Sequence, residues 1–193
     1  MGINRLLEKY KLIDIFETEL NVEKEIFINE FKKMIGKGYY TPFLIMLDII
    51  NPENKKYIGD INSKCLKIRE RFIIDNSITN NFASVKSEFY KERNTLKIKT
   101  EIRGMEIIPF ILRILIFGIY LLTMLLLLIE TLIPPIQTEI EIAYILPPIF
   151  VTIIVGFLTY YPYRIAKKNV LEMKKNMKVI NELIEKNALQ HRV

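Results

Sequence analysis

With 193 residues, a formal net charge of +6, one cysteine and one histidine, the chain cannot form an intrachain disulfide or a Cys/His zinc site. Basic residues outnumber acidic ones 28 to 22, and the excess gathers on either side of a long apolar region, which suits lipid headgroups better than nucleic acid. That region leaves roughly 100 residues before it and roughly 30 after it, enough for one small water-facing domain at most.

The first residues hold Arg5 and Glu8 inside their apolar run, so they do not read as a secretory signal, and Leu6 stands where a myristoylation motif after Gly2 needs Ser or Thr. Over 3–19, Ile3, Leu6, Leu7, Tyr10, Ile13 and Phe16 recur at three- and four-residue steps and predict a helix with one apolar face. Asn21 is a candidate cap for a second helix, with Glu23 and Glu25 in its first turn, Ile26, Phe27, Phe31 and Met34 facing inward, and Gly36 and Gly38 ending it. Thr41 and Pro42 suggest a helix start before the apolar run 43–50, which Asp48 alone interrupts. A buried helix fits that run best, a membrane-surface segment or a buried strand being the alternatives.

Ile61, Cys65, Ile68 and Phe72 step by four, three and four, which predicts a further amphipathic helix with Cys65 as an inert thiol on its buried face. Ile78, Phe82, Val85 and Phe89 continue the stripe. The stretch 95–103 alternates apolar and charged residues at a strand's period of two, but a lone strand would lack partners. Continued helix is therefore the expectation there, with Gly104 as the joint to the apolar region.

Two apolar segments then dominate, 107–129 and 142–163, each about the 20 residues that an α-helix needs to cross a bilayer. The link between them has Pro134, Pro135 and three glutamates and no basic residue. Lys91, Arg93, Lys97, Lys99 and Arg103 lie before the first segment, and Arg164, Lys167, Lys168, Lys174, Lys175 and Lys178 follow the second. Under the positive-inside rule both termini are cytoplasmic and the link is outside.

Arg113 is the one charge in the first segment, about one turn from the near interface, where a guanidinium can snorkel to the headgroups. It shares a face with Phe117 and Tyr120. In the second segment Thr152, Gly156 and Thr159 form a narrow small-residue face, suited to close helix packing or to lining a water path in an oligomer. Pro147 and Pro148 predict a bend, and Tyr160, Tyr161, Tyr163 and Arg164 form an aromatic and basic interface anchor.

In the tail Ala166, Val170, Met173, Met177, Ile180 and Ile184 alternate steps of four and three. Such a seam needs a partner, either the N-terminal region or a second copy. The expected fold is thus an all-α membrane protein: a cytoplasmic helical region over 1–104, a two-helix transmembrane hairpin over 105–163, and a cytoplasmic basic amphipathic helix over 164–193. No phosphate-binding glycine loop, nucleophile elbow or zinc-protease motif is present, so the expectation is no enzyme, no catalytic residue, no cofactor and no metal.

This layout, cytoplasmic helices followed by two spans over 107–163 and a basic tail from Arg164, resembles the short two-span effectors of bacterial conflict systems, such as SLATT-domain proteins. The resemblance implies an anti-phage effector that self-assembles and permeabilises the inner membrane once a sensing partner signals infection. From the residues themselves the expectation is an integral membrane protein, and the resemblance implies that the membrane is a bacterial plasma membrane. Its partners would be the bilayer, anionic headgroups, further copies of itself and a cytoplasmic protein, with no nucleic acid. An oligomeric effector or channel gated by its cytoplasmic part is one function; an anchor recruiting a partner, or an accessory subunit of a larger membrane complex, is the other.

Overall fold

A computed structural model describes residues 3–38, 40, 48, 55–73, 83–92, 95–104, 107–132 and 142–190. They divide into two compact units, Met1–Met105 with Ala166–Val193, and Glu106–Ile165. The expected features at 43–47, 49–50, 78 and 82 lie outside the described residues.

The first unit corrects the all-α expectation, because it is built on a six-stranded mixed sheet. Its strands are β1 (Ile13–Leu20), β2 (Ile35–Gly36), β3 (Tyr57–Ile61), β4 (Cys65–Glu70), β5 (Ser84–Glu92) and β6 (Thr95–Arg103). They lie in the order β1-β6-β5-β4-β3-β2. Only the β2–β3 pair is parallel; the rest form antiparallel ladders. The helices are α1 (Ile3–Lys9), α2 (Lys24–Met34), α3 (Ile107–Leu132) and α4 (Ile142–Gln190).

The predicted helix over 3–19 stops after two turns for a local reason. Lys11 takes a left-handed φ of 58°, Leu12 N–H donates to Leu7 C=O at 2.9 Å, and Lys11 N–H donates to Glu8 C=O at 2.9 Å. These bonds make a Schellman ending with lysine where glycine is usual, closed by the buried pair Leu7 and Leu12. The chain leaves it extended as β1. There Ile13 to Leu20 pair residue for residue with Arg103 to Leu96 of β6.

The partners that a strand at 95–103 lacked in sequence are therefore β1 on one side and β5 on the other. Leu96, Ile98, Thr100 and Ile102 point into the core, beside Val85, Ser87 and Phe89 of β5 and Leu66 and Ile68 of β4. Ser87 and Thr100 sit opposite each other, fully buried, and their hydroxyls pair at 3.0 Å, so these polar core positions carry no unsatisfied group. At β4, Leu66 and Ile68 are buried and Cys65 is half-buried on the other face. This overturns the predicted helix with an inward thiol. Asn62 Oδ1 accepts from the N–H groups of Lys64 and Cys65 at 2.8 and 2.9 Å and shapes the β3–β4 turn.

Two helices cover one face of the sheet. The α2 helix is close to expectation, burying Phe27, Ile28 and Phe31, with Ile26 and Met34 partly buried. Its N-cap is Glu23, with no side-chain cap bond, and Asn21 instead donates its N–H to Glu185 Oε1 at 2.7 Å. From 166 onward α4 carries the predicted seam: Ala166, Val170, Met173, Met177 and Ile184 are buried, most of them in one cluster with α2 and the sheet. The seam's partner is thus the N-terminal region of the same chain, as a sheet with α2 rather than as helices alone. Gly104 permits this packing, since a Cβ there would meet the Ala166 carbonyl oxygen at 2.4 Å.

The opposite face is solvated and mixed in charge: Glu17 faces Lys99, which faces Glu88. At one end it is closed by a buried ion pair. Arg69 and Asp48, each about 2 % exposed, form a two-pronged contact in which Nη2 donates to Oδ1 at 2.8 Å and Nη1 to Oδ2. Phe72 N–H also donates to Asp48 Oδ2, at 3.0 Å, and Arg71 donates to the Asp48 carbonyl at 3.1 Å. The single charge in the apolar run 43–50 is thereby neutralised by a residue that sequence spacing did not connect to it.

Candidate functional site

The second unit holds most of the residues that the sequence marks for function. Its helices α3 and α4 begin within the expected boundaries, at Ile107 and Ile142, and α4 runs unbroken through Pro147, Pro148 and Pro162 to Gln190. Large apolar side chains stand about half exposed around both, from Ile111 through Ile129 and from Ile149 through Leu158. Among the described residues one helix, the Pro148–Gln190 stretch of α4, is long and apolar enough to cross a membrane, with a mean hydropathy of 1.4 and only 6 % of its apolar window buried. The corresponding apolar stretch of α3, Ile111–Leu127, is shorter. The two-helix transmembrane hairpin is corrected on this point too, with a single helix meeting both requirements. Little of that window is covered by the rest of the chain.

Several hydroxyls of this unit bond to acceptors on the two helices, although Thr123 and Thr152 remain exposed. Tyr120 O–H donates to Thr152 Oγ1 at 2.6 Å, and Thr152 in turn donates to the Pro148 carbonyl at 2.7 Å, so one relay joins α3 to α4. Thr159 donates to Val155 C=O at 2.8 Å, and Thr123 to Ile119 C=O at 2.8 Å. Each hydroxyl uses the carbonyl one turn back, an arrangement suited to surroundings that offer no water. Phe117 lies against Tyr120 with ring centroids 6.2 Å apart, and Arg113 is partly buried.

Gly156, the expected neighbour of Thr152 and Thr159, makes no close contact. Gly156 is exposed, and a Cβ added there meets nothing within 4 Å; the same holds for Gly118 on α3. Within one copy the small residue at 156 therefore serves no close approach. Of the interface anchor, Tyr160 and Tyr161 are exposed, Tyr161 stacks on Phe157 with centroids 5.0 Å apart, Tyr163 is partly buried and Arg164 is exposed.

In the first unit, burial pushes the carboxyl of Glu70 above its ordinary range, against a smaller opposing pull from Lys56. The Tyr57 hydroxyl is raised for the same reason. On the open face Glu88 is held below the ordinary range by hydrogen bonds from Lys86 and Tyr90. Among the described residues no group of three or more His, Cys, Asp or Glu is placed to hold a metal. The Asn62 side-chain amide donates to the Cys65 sulfur at 3.6 Å. Sequence reasoning missed the Asp48–Arg69 pair and a lysine-lined cavity beside β2; neither has a local signature, because their residues come from separate segments. No protein family, no curated protein and no solved structure matches this chain.

Proposed function

We propose that this is an integral membrane protein whose Glu106–Ile165 unit enters a lipid bilayer while the sheet-bearing unit remains in the cytoplasm. The observation that carries the reading is the surface of the apolar unit, where large aliphatic side chains are exposed and the described threonine hydroxyls all find acceptors within their own helices. In water each such half-exposed side chain costs on the order of 1 kcal/mol, and a contiguous patch of this extent is foreign to soluble monomers. The basic residues before and after the apolar unit, against the acidic link, favour the cytoplasmic side.

In that setting the protein is a non-enzymatic anchor, holding a cytoplasmic sheet domain at the membrane to recruit a partner. The Tyr120–Thr152 bond supports this over a pore, because it uses the Tyr120 hydroxyl to tie α3 to α4 within one copy. Gly118 and Gly156 favour a second reading, an oligomeric permeabilising effector, since each leaves open space in which a helix of another copy can approach. Alkaline carbonate extraction tests the membrane assignment: the protein stays with the membrane pellet, and release into the supernatant overturns it. Membrane potential after induced expression separates the two roles. The anchor leaves it unchanged, whereas depolarisation by wild type that is lost in Gly156→Leu and Arg113→Leu establishes the effector.

A further inference from the structure

We propose that the rim of the sheet-bearing unit where α1 meets Gly104 and Ala166 is a binding surface for anionic lipid headgroups. The assignment rests on the reading of the apolar unit as membrane-embedded. Three segments far apart in sequence converge at this rim. Gly104 N–H donates to the Leu12 carbonyl at 2.9 Å, and a Cβ on Gly104 would stand 2.4 Å from the Ala166 carbonyl oxygen. In the chain Gly104 comes just before the apolar unit and Ala166 just after it, so the rim carries both connections to that unit.

The N-terminal segment is the member that sequence order does not announce. The α1 helix ends here, since its closing bond runs from Leu12 back to Leu7, and it brings Arg5, Lys9 and Lys11 to a rim that Lys167 already flanks. Arg5 and Lys9 lie one turn apart on the same side of the helix. All four side chains are exposed, and among the described residues none has an ion-pair partner. The other cations nearby are already matched: Arg103 with Glu101, Lys168 with Glu172 and Lys174 with Asp14. Against the four free cations α1 sets one exposed carboxylate, Glu8.

Lys11 sharpens the assignment. It holds a left-handed φ of 58° at a position that glycine fills at lower cost, and a lysine held under that cost points to use of its side chain. The form of the charge selects the ligand. Spread over two helices and open to solvent, these cations suit a field of negative charge within a Debye length, about 8 Å at physiological ionic strength, better than one compact anion. A bilayer entered by the adjoining segments supplies that field wherever its headgroups are anionic.

The test floats the full chain with phosphatidylcholine vesicles. It then measures Tm in maltoside micelles doped with phosphatidylcholine or with phosphatidylglycerol, by near-ultraviolet circular dichroism of the tyrosines. Wild type floats, and phosphatidylglycerol raises its Tm above the value in phosphatidylcholine, an increment that salt suppresses. Each lysine near an anionic surface strengthens association roughly fivefold, so in Lys9→Gln/Lys11→Gly the phosphatidylglycerol needed for half of the increment rises about tenfold or more. The Tm of this variant in phosphatidylcholine stays at or above that of wild type, because glycine is the favoured residue at position 11. Arg5→Gln/Lys167→Gln, which leaves the end of α1 untouched, loses as much. Lys32→Gln/Lys33→Gln, which removes the same charge from exposed positions on α2, changes the requirement less than about twofold. Failure of wild type to float overturns the membrane reading and this assignment together. Flotation without a phosphatidylglycerol-specific increment, or equal losses in the rim and α2 variants, overturns the assignment alone.

Discussion

Asn181 is the point at which the packing of α4 on the sheet can be improved by a single substitution. Its side chain is about 1 % exposed, and neither Oδ1 nor Nδ2 has a hydrogen-bond partner. It lies one helical turn from Met177 and next to Ile184 along a seam that is otherwise mostly apolar. Burying a polar atom without a partner costs about 1–3 kcal/mol, and the loss is recovered when the group becomes apolar. Leucine is close to asparagine in length and adds buried hydrocarbon, against some cost of branching in a packed site. Asn181→Leu should therefore stabilise the sheet-bearing unit by about 1–3 kcal/mol, which for a unit of this size raises Tm by roughly 3–12 °C. The chain has no tryptophan, so near-ultraviolet circular dichroism of its tyrosines follows the transition in detergent. A fall in Tm of more than about 2–3 °C, beyond the cost of branching alone, would refute the reasoning, since it would mean that the amide is satisfied and contributes to the fold.

Arg69→Met leaves the Asp48 carboxylate buried without its cation and should cost about 3–5 kcal/mol in urea unfolding; Arg69→Met/Asp48→Leu should recover most of that, and an additive double variant would contradict the pairing. Replacing the two ends of the inter-helix relay should have unequal effects. Tyr120→Phe leaves Thr152 bonded to the Pro148 carbonyl, whereas Thr152→Val strands the Tyr120 hydroxyl, so the second variant loses more, within about 0.5–2 kcal/mol, by denaturation in bicelles. Equal losses would exclude the relay. Glu70 gives a pH dependence of defined sign. Its carboxyl is raised in the folded state, so the fold binds that proton more tightly than the unfolded chain does. The associated stability is fully present below the ordinary value of 4.5 and is lost as pH rises through the raised one. Glu70→Gln should remove that loss, so its Tm gains on wild type between acid and neutral pH; a constant difference would count against burial as the cause.

The apolar unit was legible because its signal is continuous: residues 107–129 and 142–163 were readable as helices, and α3 and α4 cover both. The tail seam was legible for a similar reason, since Val170, Met173, Met177 and Ile184 repeat along a single helix. The sheet was not. Its strands put hydroxyls at core positions, Ser87 and Thr100, which breaks the apolar alternation in sequence although the pair satisfies itself across the ladder. The spacing of Ile61, Cys65 and Ile68 imitates a helical face, yet Ile61 and Ile68 lie on different strands and Cys65 points the other way. The strand at 95–103 finds its partner β1 about 80 residues upstream, a pairing that no local pattern announces. The Asp48–Arg69 pair and the lysines around β2 likewise exist only once distant segments meet.

The sheet-bearing unit is assembled from both ends of the chain, and this has a consequence for the order of events during synthesis. Strands β1 to β6 leave the ribosome first, but the side of the sheet carrying Leu66, Ile98 and Phe89 lacks part of its cover until Val170, Met173 and Met177 emerge. Between the two comes the entire apolar unit. A half-made sheet with an uncovered apolar face therefore has to persist while residues 106–165 are synthesised and, on the proposed reading, delivered to the bilayer. If delivery fails, the final helix arrives late or in the wrong place, and the domain does not close. Correct folding of the sheet would then report that the apolar unit has been placed, so that chains failing at that step remain open to chaperones and proteases.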